Sequence, residues 1–102
     1  MMANLIENDK GFLIIKCRTP ELMTLERGVM GVCDCCNEAT LDGYICCALG
    51  HRYYCEKCYK DWMSRAIHYE EDVPYETGVY AYYHSGFVKN ELWTETKGGD
   101  ND

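Results

Sequence analysis

Residues 33–58 read CDCCNEATLDGYICCALGHRYYCEKC, a stretch that begins and ends with two cysteines separated by two residues. The first pair is Cys33 and Cys36, the second pair is Cys55 and Cys58, and 18 residues lie between the pairs. Four thiolates at this spacing can surround one Zn²⁺ ion tetrahedrally. The stretch therefore predicts a domain organised around one zinc ion with these four cysteines as ligands.

Two alternatives stay open at this site. Four thiolates also hold iron, although the hairpin and helix predicted around the second pair are more typical of structural zinc folds. Cys35 competes with Cys33 as a ligand, and we favour Cys33 because the adjacent Cys35 and Cys36 cannot easily point at one ion. We do not expect a second zinc site, because its potential ligands are weak candidates and the adjacent Cys46 and Cys47 should point to opposite faces of a strand. The candidates are Cys35, Cys46, Cys47, His51, His68 and His84.

Cysteine content raises the question of the redox compartment. Eight cysteines in 102 residues would indicate four disulfides in a secreted protein. The N-terminal residues lack the basic and apolar regions of a secretory signal, and no apolar run approaches the length of a membrane span. We therefore expect a cytoplasmic protein without membrane association that uses its cysteines for metal binding, with a disulfide framework as the alternative.

The net charge of −7 is unevenly distributed along the chain. Residues 1–69 hold nine acidic and eight basic residues, whereas residues 70–102 hold eight acidic and two basic residues. Phosphate backbones are bound mainly by lysine and arginine, so this balance disfavours nucleic-acid binding. A small basic face formed by Lys57, Lys60 and Arg65 keeps a nucleic-acid-binding finger as a minor alternative.

The residues before the first cysteine pair predict a strand and a short helix. Residues 11–17 form an apolar run typical of a buried strand. Residues 19–28 predict a helix of about two turns, with Thr19 as its N-cap and Gly28 closing it in the left-handed conformation. Together with the elements that follow, these give an α+β fold.

Between and after the cysteine pairs, the sequence predicts a hairpin and a helix. A loop is expected over residues 37–43, followed by strands at 44–49 and 52–55 joined by a tight turn at Gly50-His51. The second pair then begins a helix whose apolar face follows the helical repeat. That face consists of Tyr59, Trp62, Met63, Ala66 and Ile67.

The apolar residues of the C-terminal third follow neither a strand-like nor a helical period. Pro74 is expected to end any continuation of the preceding helix. Residues 75–93 are rich in aromatic and aliphatic side chains, and we expect a strand or a short helix that packs back on the domain. Residues 95–102 are polar and charged and are expected to form a flexible acidic tail. The predicted organisation is a single zinc-binding domain over residues 1–94, with a finger core at 31–69, followed by that tail.

A cysteine pair, a hairpin, a second pair and a helix occur in the order that treble-clef zinc fingers use, and residues 31–69 resemble this broad class. The class includes RING, ZZ and LIM fingers. It implies that the second pair stands at a helix N-terminus, where free N–H groups and the helix dipole favour thiolates. The stretch Tyr54-Cys55-Glu56-Lys57-Cys58-Tyr59, followed by Trp62, also resembles small uncharacterised bacterial or phage proteins built around one such finger, a family that implies a fold and no activity. RING, ZZ and LIM fingers bind a second zinc ion through another complete ligand set. This chain offers only weak candidates for that set, so the resemblance does not imply ubiquitin-ligase activity.

The predicted site favours a structural role for the metal. A site closed by four cysteines has no open coordination position and cannot activate water. The sequence has no HExxH motif and no HxE upstream of a PCxxC, the signatures of zinc peptidases and zinc deaminases. We therefore expect no enzymatic activity and predict a protein-interaction or regulatory module, with the aromatic residues at 69–93 as the partner-binding surface. Neither the partner nor the oligomeric state follows from the sequence.

The main alternative function is a thiol redox response. Four cysteines are left over once the four ligands are assigned, and exposed thiolates near cations are reactive. These are Cys17, Cys35, Cys46 and Cys47. Buried cysteines, in contrast, behave as small apolar side chains, so the burial of these four decides between the two interpretations.

Overall fold

A computed structural model describes residues 3–26 and 30–94. Its sheet is antiparallel, with the strand order β1-β2-β3-β4. The strands are β1 Asn4–Ile6, β2 Ile14–Arg18, β3 Asp42–Cys46 and β4 Tyr53–Tyr54. Among the described residues, the α-helices are α1 Thr19–Leu25, α2 Glu56–Arg65 and α3 Val73–Lys89, and short 3-10 turns lie at Cys47–Leu49 and Glu70–Asp72. The predicted α+β class is confirmed.

The sheet buries side chains on both faces, because successive residues of a strand point to opposite sides. On one side, which we call the α3 face, the core consists of Ala3, Ile15, Cys17, Leu22, Ile45, Cys47, Tyr53, Val79, Tyr83 and Phe87. On the other, the α2 face, it consists of Phe12, Ile14, Cys33, Tyr44, Cys46, Tyr54 and Tyr59. The central strands β2 and β3 therefore contribute to both cores.

At the N-terminal end, the predicted strand and helix are both present with shifted bounds. The first strand, β1, was not predicted, and its three residues pair with β2. The predicted N-cap is wrong by one residue, because Arg18 caps α1 and its backbone N–H donates to the Glu21 carboxylate at 2.8 Å. The Thr19 hydroxyl instead donates to the Thr40 carbonyl at 2.6 Å. Helix α1 ends at Leu25, and Gly28, the predicted cap, lies outside the described residues.

The loop predicted over residues 37–43 is wrong at its end, since β3 already begins at Asp42. Gly43 belongs to the strand because the Tyr53 ring lies against it. A Cβ at Gly43 would lie 2.5 Å from the Tyr53 Cζ, so only glycine lets the ring of the neighbouring strand pack there. The glycine that looks like a turn signal in the sequence is therefore a packing residue.

The hairpin of β3 and β4 is present, but the prediction of a tight turn between its strands is wrong. Residues 47–52 connect the two strands and include a 3-10 turn. Gly50 ends that turn with a φ of 85°, a backbone conformation that residues with a side chain rarely adopt. Gly50 therefore serves a longer connection than the sequence predicts.

Helix α2 carries the predicted apolar face, except at its end. The helix ends at Arg65, so Ile67 lies beyond it and is exposed. Lys10 terminates the helix, since its ammonium group donates to the carbonyls of Met63 and Ala66 at 2.6 and 2.7 Å. A cation at a helix C-terminus also interacts favourably with the helix dipole.

The C-terminal segment is a 17-residue helix rather than a strand or a short helix. The sequence hides it because the buried positions of α3 include the carboxylate of Glu76, while Tyr75 and Tyr82 are exposed. Pro74 does not end a helix but lies in the first turn of α3, where proline is well tolerated. The predicted flexible tail, residues 95–102, lies outside the described residues.

None of the helices within residues 3–26 and 30–94 combines the length and the apolar character that crossing a bilayer requires.

Candidate metal centre

The first cysteine pair lies on a loop that folds around one sulfur atom. The Cys33 N–H donates to the Glu38 carbonyl and the Asn37 N–H donates to the Cys33 carbonyl, both at 2.9 Å. Asn37 has a φ of 65°, a left-handed conformation that asparagine adopts more readily than most residues. The Cys35 N–H then points at the Cys33 sulfur at 3.3 Å. This loop presents Cys33 and Cys36 toward the start of α2.

The second cysteine pair lies at the N-terminus of α2, as the sequence predicts. Cys55 is the N-cap residue, and Cys58 lies in the first turn. The Tyr59 N–H donates to the Cys55 carbonyl at 2.8 Å. The unpaired N–H groups and the positive dipole end of a helix interact favourably with negatively charged groups, which suits metal-bound sulfur atoms at this position.

The structure brings all four predicted cysteines together. Their sulfur atoms lie within 4.8 Å of one another, and those of Cys36 and Cys55 are 3.9 Å apart. Zinc–sulfur bonds of about 2.3 Å in a regular tetrahedron separate the sulfur atoms by about 3.8 Å. The cluster therefore fits one four-coordinate metal ion. Iron–thiolate chemistry also accepts four cysteines, so the geometry indicates one metal site and leaves the metal open.

The electrostatics of the cluster favour a bound cation. Burial alone raises the pKa of Cys33, but the backbone N–H groups of Cys55, Cys36 and Cys35 outweigh it and lower the pKa to about 6. Desolvation, followed by the neighbouring thiols, raises the pKa of Cys58. One thiol of the cluster therefore ionises readily, whereas several adjacent thiolates need a positive charge among them to coexist.

The metal cluster lies at the edge of the α2-face core. Cys33 is fully buried, Cys55 and Cys58 are half-buried, and Cys36 is exposed. The cluster joins a loop to the first turn of a helix, two segments whose own side chains bury little surface. A metal ion there would cross-link them.

The four remaining cysteines do not belong to the group of four sulfur atoms, although Cys35 lies beside the Cys58 thiol. Cys46 and Cys47 point to opposite faces of the sheet, as predicted. Cys17, Cys46 and Cys47 are buried, and desolvation raises the pKa of each thiol, that of Cys47 to about 12. Cys35 is exposed. Three of the four surplus thiols are therefore held neutral inside the core.

The histidines considered as further ligands have other partners. His51 Nδ1 lies 2.6 Å from the Tyr83 hydroxyl, and His68 Nε2 lies 2.7 Å from a Glu76 carboxylate oxygen. His84 packs between two aromatic rings. Over residues 3–26 and 30–94, the group of potential metal ligands that the structure assembles is the four predicted cysteines.

Sequence reasoning missed two residues that position the cluster. The Asp34 carboxylate accepts the Tyr53 N–H at 2.8 Å and ties the first cysteine loop to β4. Asn37 provides the left-handed residue directly after Cys36. Asparagine after a cysteine pair is a recognisable local signal, whereas the Asp34 contact depends on the tertiary structure and leaves no mark in the sequence.

Comparison with known proteins adds no relative to this picture: no family model, curated protein or solved structure matches the chain.

Proposed function

We propose that this chain is a protein-interaction or regulatory module without catalytic activity, held together by one structural zinc ion. Cys33, Cys36, Cys55 and Cys58 are the proposed ligands, in a treble-clef arrangement. The observation that carries the proposal is the mutual distance of the four sulfur atoms, within 4.8 Å. The order of cysteine loop, hairpin, second pair and helix supports the treble-clef assignment.

A structural role suits the coordination and the surroundings of the site. Four thiolates fill a tetrahedral zinc ion and leave no position for water or substrate. Zinc bound in this way contributes directly to folding, on the order of 10 kcal/mol in small zinc-finger domains. That contribution suits the α2 face, where the cysteine loop has few buried side chains of its own.

An interaction role suits the surface of α3. Tyr75 and Tyr82 expose 58% and 51% of their surface on the same side of this helix. Tyrosine supplies large contact areas with few rotatable bonds and is enriched at binding surfaces. These side chains contribute less to the core of the chain than its buried tyrosines do, so a partner is the better explanation for their position.

Metal identity and stoichiometry test the first half of the proposal. Native mass spectrometry of the purified chain should show one zinc ion, retained in Cys35→Ser and lost in Cys58→Ser. Cobalt substitution should produce the visible absorption of tetrahedral thiolate coordination. Iron in the purified chain, two metal ions per chain, or disulfides in place of metal would each contradict it.

Partner capture tests the second half. The tagged chain should retain a protein from lysates of its own source cells, and the captured protein should bind again when both are purified. A Tyr75→Ser/Tyr82→Ser double variant should lose that binding while keeping its metal and its circular dichroism spectrum. If no protein binds the purified chain saturably, the module assignment fails.

The redox alternative depends on Cys35, the surplus cysteine that is exposed and lies beside the Cys58 thiol. If it operates, mild peroxide should release the metal and form a disulfide that contains Cys35, and Cys35→Ser should prevent both. If the chain is a structural-zinc module, peroxide at the same dose leaves the metal bound. The buried Cys17, Cys46 and Cys47 should resist iodoacetamide in either case.

Nucleic-acid binding gains little support from the predicted basic face. Lys60 pairs with Glu56 at 2.9 Å, and Arg65 pairs with Asp61 at 2.7 Å, each one helical turn away. These acidic neighbours weaken the positive field that a phosphate backbone would meet.

A further inference from the structure

An open apolar groove runs between α3 and the turn that precedes β4. Its volume is about 610 Å³. The lining residues are His51, Pro74, Tyr75, Gly78, Val79 and Tyr82. Val79 at its base belongs to the α3-face core, whereas Tyr75 and Tyr82 are exposed, so the groove is open to solvent.

Gly78 is the most informative residue of the groove. Glycine is, after proline, the poorest helix former, yet Gly78 occupies the interior of α3. A Cβ at this position would meet no heavy atom within 4 Å, whereas at Gly86 a Cβ would lie 2.7 Å from Leu25. Packing within the chain therefore explains Gly86 but not Gly78. An external group that approaches the α3 backbone would explain it.

A smaller recess lies on the other side of His51, which lines both cavities. Its volume is about 190 Å³, enough for one side chain, and two carboxylates, Glu26 and Asp34, line it. Glu26 accepts the Tyr83 and Tyr82 hydroxyls at 3.2 and 3.3 Å and lies 3.7 Å from His51 Nδ1, and Asp34 uses one oxygen for the Tyr53 N–H. Among the described residues that line the groove and the recess, none is a lysine or an arginine. The recess therefore places two carboxylates against one histidine, and the second oxygen of Asp34 remains to accept a hydrogen bond.

We propose that the groove and the recess together bind an arginine-containing segment of a partner protein. The guanidinium group enters the recess and donates to Glu26 and Asp34, while apolar neighbours of the arginine cover Gly78 between Tyr75 and Tyr82. This inference rests on the proposed interaction function and names the surface and the chemistry of the partner.

Arginine fits this site better than the other occupants. Its planar guanidinium has several donors in fixed directions that match carboxylate oxygens, and it stacks on tyrosine rings. A second copy of the chain is less suitable, because each copy carries a net charge of −7 and the acidic residues Glu70, Glu71 and Asp72 directly precede α3. A basic partner meets complementary charge at both ends of the groove.

The recess also depends on the metal centre. Asp34 lies between two cysteines of the first loop, and that loop is the one the metal would hold against α2. Loss of the metal should therefore release Asp34 and weaken arginine binding, although no ligand of the metal touches the partner.

A random dodecapeptide library displayed on phage, selected against the metal-loaded chain, tests the proposal. Selected peptides should share an arginine with apolar neighbours, and a synthetic copy should lose at least tenfold affinity when its arginine is replaced by glutamine. Gly78→Gln and Asp34→Asn should each weaken binding at least tenfold. Thr77→Gln, an exposed substitution on another side of α3, is the matched control and should bind like the unmodified chain.

Distinct outcomes separate this inference from the function on which it rests. Selected peptides that lack arginine, or whose binding Gly78→Gln leaves unchanged, overturn the arginine site while an interaction module at another surface survives. Concentration-dependent dimerisation that Gly78→Gln abolishes, measured by sedimentation, would assign the groove to a second copy and also overturn it. If neither peptides nor cellular proteins bind the chain, both proposals fail.

Discussion

The two faces of the sheet reach stability by different means. The α3 face is covered by a helix of 17 residues whose large side chains, Tyr83 and Phe87, are almost completely buried. The α2 face is covered by a helix of 10 residues and by a loop. Aromatic contacts contribute to it, such as the stacked rings of Tyr44 and Tyr59, whose centroids lie 4.1 Å apart. Short chains bury too little apolar surface to stabilise every element by packing alone. We propose that a metal ion adds the missing stability on the α2 face, where the covering helix is shorter.

Each face contains one tryptophan, which makes the comparison measurable. Trp62 packs on the α2-face core, and Trp93 packs on the α3-face core. Trp93→Phe and Trp62→Phe variants would leave one fluorescent reporter on each face.

Loss of one metal ligand should have the largest effect on stability and should first unfold the α2 face. Cys58→Ser removes a contribution on the order of 10 kcal/mol, which is as large as the whole stability of a typical domain. We expect the Trp62 reporter to show an unfolded or molten environment at 25 °C without denaturant. Cys35→Ser is the control and should keep both metal and structure. A metal-free Cys58→Ser chain with native Trp62 fluorescence would refute the structural role of the metal.

A cavity on the α3 face should destabilise the chain without removing the metal. Phe87 is fully buried, and Phe87→Ala should lower the free energy of unfolding by about 3–5 kcal/mol. Because the residue contacts the α3-face core rather than the cysteine cluster, native mass spectrometry should still find one metal ion per chain under conditions where the variant is folded. Metal loss at that stage would show that the two faces fold as one unit.

Glu76 connects the two faces, so its replacement should couple the two reporters. This buried carboxylate on α3 accepts the Leu13 N–H at 2.8 Å and lies 2.7 Å from His68, which follows α2 in the chain. Glu76→Ala leaves the N–H of the half-buried Leu13 without its acceptor, which costs about 1–3 kcal/mol. Both the Trp62 and the Trp93 transitions should shift to lower urea.

The matched control for that prediction is Glu76→Gln, which keeps an oxygen for the Leu13 N–H and should lose less stability than Glu76→Ala. If Glu76→Ala shifts the Trp93 transition alone, the carboxylate does not link the faces.

How far the sequence predicts this molecule differs between the two faces. The four cysteines and the helix after Cys55 follow from local spacing and periodicity, and the structure places them together. The spacing of metal-binding cysteines is a short-range signal, so it can be recognised from the sequence alone. The interior of the α2 face, with Tyr59 buried, follows from the same helical repeat.

The α3 face was predicted poorly because its signals are long-range. Buried Glu76 breaks the apolar repeat of α3, and only its bonds to Leu13 and His68 explain why a carboxylate is tolerated there. Gly43 is a strand residue because of the Tyr53 ring across the hairpin. Leu13 and His68 lie 63 and 8 residues from Glu76 in the sequence, and Tyr53 belongs to another strand than Gly43. Composition and periodicity do not reveal such contacts.

The smallest expected effect compares two glycines of α3 that look alike in the sequence. Gly78→Ala should stabilise the chain by about 0.5–1 kcal/mol, because alanine restricts the unfolded chain and favours the helix. Gly86→Ala gains the same helix preference but drives its Cβ to 2.7 Å from Leu25, and the crowding between α1 and α3 costs about 1–3 kcal/mol. We expect opposite shifts of the Trp93 urea midpoint, upward for Gly78→Ala and downward for Gly86→Ala. Equal shifts for both variants would mean that Gly86 is not a packing residue, so that packing within the chain does not distinguish Gly86 from Gly78.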